Sequence, residues 1–115
     1  MSVTPESATV SIILGKDNKV FFYTGKWENA VHHNAITLTN YNESTGVGSL
    51  LRSKQKWLDE HYKGKREAMV LLIKPTDAST YQNFVDVIYE VTINNVKTYV
   101  VMKPATTEFQ YAFSH

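Results

Sequence analysis

The stretch Ala68-Met69-Val70-Leu71-Leu72-Ile73-Lys74-Pro75-Thr76-Asp77-Ala78-Ser79-Thr80-Tyr81-Gln82-Asn83-Phe84-Val85-Asp86-Val87-Ile88-Tyr89-Glu90-Val91 decides the fold. Its first six residues are apolar without polar alternation, the pattern of a strand buried on both faces and central in its sheet. Pro75 and Asp77 break the strand. Ser79-Thr80-Tyr81-Gln82 then has the form of a capping box, with Ser79 capping the first helical turn and Gln82 reaching back. Tyr81, Phe84, Val85, Ile88 and Val91 recur at helical spacing, and Val87 widens this stripe enough to touch a sheet and a second helix together. Asn94-Asn95 closes the helix, since Asn tolerates left-handed backbone, and residues 96–102 read as the next strand. Strand, helix, strand in this order is a βαβ unit with parallel strands.

Working outward, residues 9–14 and 20–23 are β-branched and aromatic runs separated by the turn-forming Gly15-Lys16-Asp17-Asn18-Lys19, which predicts a hairpin. Residues 27–46 show no sustained period and read as a long loop, tacked down by Trp27, Ile36, Leu38 and Tyr41. Val47, Leu50, Leu51 and Leu58 define an amphipathic helix ending near Lys63-Gly64, with Gly64 suited to a left-handed terminal residue. In the tail, residues 103–115, Phe109, Tyr111 and Phe113 alternate with Gln110 and Ala112 as in an edge strand. Such a strand could be offered to another chain, which makes these three aromatics candidate partner-binding residues.

The composition limits the chemistry. Twelve basic residues against eleven acidic ones leave a net charge of +1, too little for the positive field on which nucleic-acid binding relies. The absence of cysteine excludes disulfides, thiolate metal sites and cysteine nucleophiles. The longest apolar run, residues 68–73, is far below the roughly 18 residues of a membrane-spanning helix. No leader opens the chain, so an export signal or anchor is expected to lie outside it. At 115 residues, 1–115 reads as one domain with 1–8 as a flexible lead-in.

No residue pattern calls for catalysis, a cofactor or a metal. Adjacent His32 and His33 lack second-ligand spacing, and His61 sits where a helix dipole favours an imidazolium. Asp86 and Glu90 share a helix face, but the one opposite the apolar stripe, which is expected to face water rather than a site for acid and base work. Lys63-Gly64-Lys65-Arg66 gathers too few charges to hold an acidic polymer. No GxSxG elbow or phosphate-cradling loop is present, and Asn42-Glu43-Ser44 is a sequon by spelling alone.

Residues 70–91 resemble the C-terminal half of the ExbD/TolR biopolymer-transport family. There a buried strand leads through a polar turn to a Tyr and a helix with a V-D-V/I stretch; Tyr81, Val85, Asp86, Val87 and Ile88 stand at the matching places. The order hairpin, helix, strand, helix, strand over residues 9–102 is also similar, and the Lys74-Pro75-Thr76-Asp77 turn with the insertion at 27–46 looks like ExbD-like proteins of the Bacteroidetes type. The resemblance implies a periplasmic domain tied to the inner membrane by an N-terminal helix outside this chain. It implies an ExbB/TolQ-like channel partner, a TonB-like protein energised for outer-membrane transport, and a homodimer. The family's proton-carrying aspartate lies in that helix, so Asp86 does not inherit its role. Lys74 and Asp77, in the matching turn, join the aromatics as candidate partner-binding residues.

The fold expected is a two-layer α/β domain in hairpin-α-β-α-β order, with two helices on one face of a mixed sheet of about four or five strands. The function expected is partner binding, not catalysis. A TolR-like domain that binds peptidoglycan is one alternative, and an unrelated small ligand-binding domain or enzyme is the other.

Overall fold

Along the first strand Val10, Ile12 and Leu14 alternate with Ser11 and Ile13, and all five are buried, so both faces of the strand need cover. The structure, a computed structural model, describes residues 6–115. Their elements run β1 (Thr9–Leu14), β2 (Val20–Thr24), α1 (Trp27–His32), β3 (Thr37–Thr39), α2 (Val47–His61), β4 (Val70–Pro75), α3 (Tyr81–Ile93), β5 (Thr98–Val101) and α4 (Thr106–Ser114). The sheet order is β3-β2-β1-β4-β5, with β1 antiparallel to β2 and parallel to β4, and β4 parallel to β5. This is the expected mixed α/β architecture in the expected order. β4 is interior as its apolar run implies, although β1 takes the centre.

The hairpin turns at Asp17 and Asn18, both left-handed at φ 54° and 60°, and closes with Gly15 N–H donating to the Lys19 carbonyl at 2.9 Å. One sheet face, with Val10, Ile12, Leu14, Phe22, Leu71 and Ile73, packs on Val47, Leu51 and Leu58 of α2 and Val87 and Val91 of α3. Both long helices therefore share one face, as anticipated. The helices meet closely: Gly48 lies against the Glu90 carboxylate where a Cβ would clash, and Gln55 donates to the Asn94 carbonyl at 2.7 Å.

Several local expectations are corrected. Segment 27–46 contains α1 and β3; Trp27, Ile36 and Tyr41 pack against the core, whereas Leu38 is exposed. Residues 1–5 of the supposed lead-in lie outside the described residues, and Glu6–Ala8 forms a 3-10 turn with Ala8 buried. Past α2, the left-handed residue is Lys65 at φ 55°, while Gly64 is right-handed at φ −76°. The α3 capping box is Thr80 with Asn83, one residue beyond the Ser79–Gln82 reading. Its apolar face is rotated as well: Asn83, Val87, Glu90 and Val91 are buried, Phe84 and Ile88 are half-buried, and Tyr81 is 82% exposed.

The tail is not a strand. Residues 106–114 form α4, which lies on the second sheet face with α1; there Ile13, Phe21, Tyr23, Ala30 and Ala112 make a smaller cluster joined by Trp27, Ile36 and Tyr111. The alternation at 109, 111 and 113 is incidental, because the buried positions Glu108 and Ala112, with half-buried Tyr111, follow helical spacing.

Val87→Asp should cost at least about 3 kcal/mol by burying an unpaired charge, whereas Tyr81→Asp should stay within about 0.5 kcal/mol. Urea unfolding of the two variants checks this, and equal losses would mean that the α3 face is misassigned.

Candidate functional site

The pleat of β4 sends Leu71 and Ile73 toward α2 and α3 and Lys74 to the opposite face, under α4. Lys74 is 6% exposed and Glu108 3% exposed. The Lys74 ammonium donates to Glu108 Oε2 at 2.7 Å and to the Tyr23 hydroxyl at 2.9 Å; Tyr23 in turn donates to the same carboxylate oxygen at 2.5 Å. The other oxygen, Oε1, accepts the Ala105 N–H at 2.9 Å, satisfying a free donor at the start of α4. Ala105 itself has no side-chain acceptor, so Glu108 supplies the whole side-chain cap.

Burial pushes the Glu108 carboxyl up, but hydrogen bonds from Lys74 and Tyr23 outweigh it and hold the group below its ordinary value. Burial pulls the Lys74 ammonium down, and its bonds to Glu108 and Tyr23 reverse that, leaving it raised. The Tyr23 phenol is raised first by burial and then by its carboxylate partner. All three groups are occupied with one another. The cluster is a pin that fastens α4 to the sheet, with no group left to attack or to transfer a proton.

The five candidate partner-binding residues separate accordingly. Lys74 is consumed in the pin. Asp77 is exposed and shares a cleft of about 300 Å³ with Phe109, Lys103 and Thr106. Tyr111 packs edge-on against Phe21 at 5.6 Å and Trp27 at 5.4 Å. Phe109 and Phe113 stack on each other at 6.2 Å on the outer side of α4. The structure thus brings Asp77 and Phe109 together but does not set the three aromatics in one row.

Other charged and imidazole groups are accounted for locally. Glu90, expected in water, is buried, accepting from Asn94 Nδ2 at 3.1 Å with Arg52 at 3.7 Å. His61 stacks on Trp57 at 5.0 Å, while His32 and His33 are exposed edge-to-face neighbours. Within the basic cluster, Arg66 pairs with Asp59 at 2.6 Å. Among the described residues no group of three or more acidic, His or Cys side chains could hold a metal ion. No helix of the described residues is long and apolar enough to cross a membrane.

The surface that sequence reasoning missed is β5. It is the last strand of the sheet, hydrogen-bonded on one side only, and every residue of it is exposed: Tyr99 44%, Val100 46% and Val101 48%, with Met102 following at 43%. Met102 N–H donates to the Ile73 carbonyl at 2.9 Å, so the even-numbered backbone groups turn to β4 and those of Tyr99 and Val101 turn outward. On α3, Tyr81, Val85, Tyr89 and Ile93 recur every fourth residue and form an exposed apolar row. The opposite edge, β3, is three residues long with Thr at both ends. Pattern alone reads residues 96–102 as a strand, of which 98–101 form β5; its place at the edge depends on the sheet order.

Glu108→Gln keeps a cap on Ala105 but strands the Lys74 charge, and should cost about 3–5 kcal/mol. The double variant Lys74→Met, Glu108→Gln, which removes the stranded charge and keeps polar partners for Ala105 N–H and the Tyr23 hydroxyl, should recover most of that loss. The contribution of Glu108 is complete above the ordinary carboxyl range and is lost as pH falls through its depressed value. That of Lys74 is complete below the ordinary lysine range and is lost as pH rises through its raised value, so stability from the pin is flat between the two. Denaturant unfolding across pH measures both, and a single variant as stable as the wild type would remove the pin from the account.

Comparison of the chain with protein-family models, with curated proteins and with solved structures finds no match.

Proposed function

We propose that this domain is the partner-binding, periplasmic part of an ExbD/TolR-like subunit, held to the inner membrane beside an ExbB/TolQ-like channel and passing proton-motive energy to a TonB-like protein. The observation that carries the reading is the open β5 edge. An extended segment can add to it as a sixth strand, with affinity from the outward backbone groups of Tyr99 and Val101 and specificity from the apolar side chains around them. The resemblance over residues 70–91 covers β4 and most of α3, and the similar order of elements over residues 9–102 extends it to β5. In the absence of a partner the edge pairs with its counterpart in a second copy, giving a homodimer with an isologous interface.

Proteins usually blunt an edge with charge, proline or a bulge. Here Lys97 and Lys103 flank five consecutive uncharged residues, 98–102, which leaves the middle of the edge open. The flanking lysines favour a strand with acidic residues beside its apolar centre and weaken self-pairing by like-charge repulsion.

Val101→Pro removes one outward N–H without touching the β4 ladder, so the fold should survive while strand addition fails. The periplasmic segment of the TonB-like protein encoded in the same genome should shift the amides of residues 98–102 in the wild type. Its affinity for the proline variant should be at least about tenfold lower, and the variant should sediment as a monomer at concentrations where the wild type dimerises. A wild type that is monomeric and indifferent to that segment would refute the proposal.

A further inference from the structure

On the side of the molecule formed by the hairpin turn, the loop after β3 and the first turns of α3, a cleft of about 560 Å³ is lined by Asn18, Asn40, Tyr41, Asn42, Gln82, Asn83 and Asp86. That size is within the range of small-molecule sites. Five of its seven side chains are carboxamides and one is a carboxylate, so it offers hydrogen bonds with a single formal charge.

The orientation of each amide is fixed by a partner that admits one arrangement. Asn40 Oδ1 accepts the Asn42 N–H at 2.8 Å, and Asn42 Oδ1 accepts the Ser44 and Thr45 N–H groups at 2.9 and 3.3 Å; a backbone N–H can meet only the oxygen end. Asn83 Oδ1 accepts the Thr80 N–H at 3.0 Å, so its Nδ2 must donate, and it does so to Asn18 Oδ1 at 2.8 Å. Gln82 Nε2 donates to Asp86 Oδ1 at 2.8 Å, because an ionised carboxylate only accepts. What remains without a partner among the described residues is three amino groups, on Asn18, Asn40 and Asn42, and two acceptors, Gln82 Oε1 and Asp86 Oδ2.

Tyr41 lines the cleft with its ring, its hydroxyl pointing inward. Its hydroxyl is shielded from water yet makes no hydrogen bond among the described residues. Such a group costs roughly 1–3 kcal/mol unless something meets it. Burial first, and the Asp86 charge second, hold the phenol well above its ordinary range, so it keeps its proton and can donate. The loop carrying it is anchored at the start of α2 by Gly46 N–H to the Asn42 carbonyl and Val47 N–H to the Asn40 carbonyl, at 2.8 and 2.9 Å.

From these positions we infer that the cleft binds a neutral, polyhydroxylated ligand, one or two sugar rings in size. A sugar hydroxyl donates and accepts at once and so needs both kinds of protein group close together, which the three amino groups and two acceptors supply. One carboxylate is too few for a divalent cation, and no cationic side chain lines the cleft to hold an anion. Because the side chains are already held, little rotamer freedom is lost on binding. The site is separate from β5 and goes beyond the proposed function; either can fail without the other.

Asn→Asp at positions 18, 40 and 42 tests the assignment, since each variant keeps the internal acceptor and replaces the outward donor with a charged acceptor beside Asp86. With the 115-residue chain labelled for NMR, N,N′-diacetylchitobiose, maltose and cellobiose are titrated separately. At least one should give saturable shifts confined to residues 18, 40–42 and 82–86. Asn42→Asp should weaken that binding about threefold to tenfold at unchanged melting temperature. Tyr41→Phe removes a hydroxyl that solvent in the cleft does not reach, and should leave the binding unchanged and the free protein equally or more stable. The inference is overturned if no sugar saturates, if the shifts survive the asparagine variants undiminished, or if calcium or a short peptide moves the same residues and the sugars do not.

Discussion

Burial of β1 on both faces is the constraint from which the rest of the structure follows. Val10, Ile12 and Leu14 need one apolar layer and Ile13 another, and a strand hydrogen-bonded to β2 and β4 can be covered only from above and below. α2 and α3 supply the first cover with a large cluster. The second is thinner, a short α1 and the terminal α4 over Ile13, Phe21 and Tyr23. A polar pin therefore does there what area does on the first face. Two outermost strands remain, and neither cover extends over β5, whose residues are exposed on both sides of the sheet.

Glu108 shows how one carboxylate can serve two levels of structure. Through Oε1 it satisfies a backbone donor at the beginning of α4, and through Oε2 it meets Lys74 and Tyr23 on two different strands. Starting the helix and docking it are thereby coupled. A buried ion pair of this kind is weak evidence for net stability, since an apolar replacement of both partners can do as well; what it fixes is register, because Lys74 tolerates no other neighbour at that depth. The pairing also explains why a lysine can end an otherwise apolar strand.

The sequence was most legible where one physical requirement dominated. The unbroken run at 68–73 announced a doubly buried strand, the turn residues at 15–19 a hairpin, and the 47–58 spacing a helix whose Val47, Leu51 and Leu58 are indeed buried. Reading failed where polar groups took the core. α3 turns Asn83 and Glu90 inward because Asn83 caps the helix while holding Asn18, and Glu90 fits over Gly48. A hydrophobicity pattern assigns such residues to solvent and rotates the helix toward Tyr81 and Val85. The tail failed for a related reason: its alternating aromatics matched a strand period by chance, while Glu108, the residue that decides its structure, counted as polar surface. Of the candidate site, the turn at Asp77 was legible but not its neighbour Phe109, whose segment read as a strand; the β5 edge was not, because strand order is a property of the whole sheet.

The two proposed binding features draw on different physics, and this bears on how so small a domain could be selective. An open edge presents backbone groups common to every sequence, so its affinity is generic, and selectivity must come from side chains placed at alternate positions; on β5 these are Tyr99 and Val101 on one face and Thr98 and Val100 on the other. The amide cleft is the reverse case, with discrimination built into fixed donors and acceptors and little apolar area to add strength. α3 belongs to both, capped at the cleft by Thr80 and Asn83 and joined at its other end to β5 through Asn94 and Asn95. Its buried row of Val87 and Val91 holds the helix rigidly on the core, so a ligand at one end can stabilise the domain by mass action without reshaping the edge at the other. Coupling between the two would require a second arrangement of α3, and the close fit of Gly48 to Glu90 leaves the helix little room to adopt one.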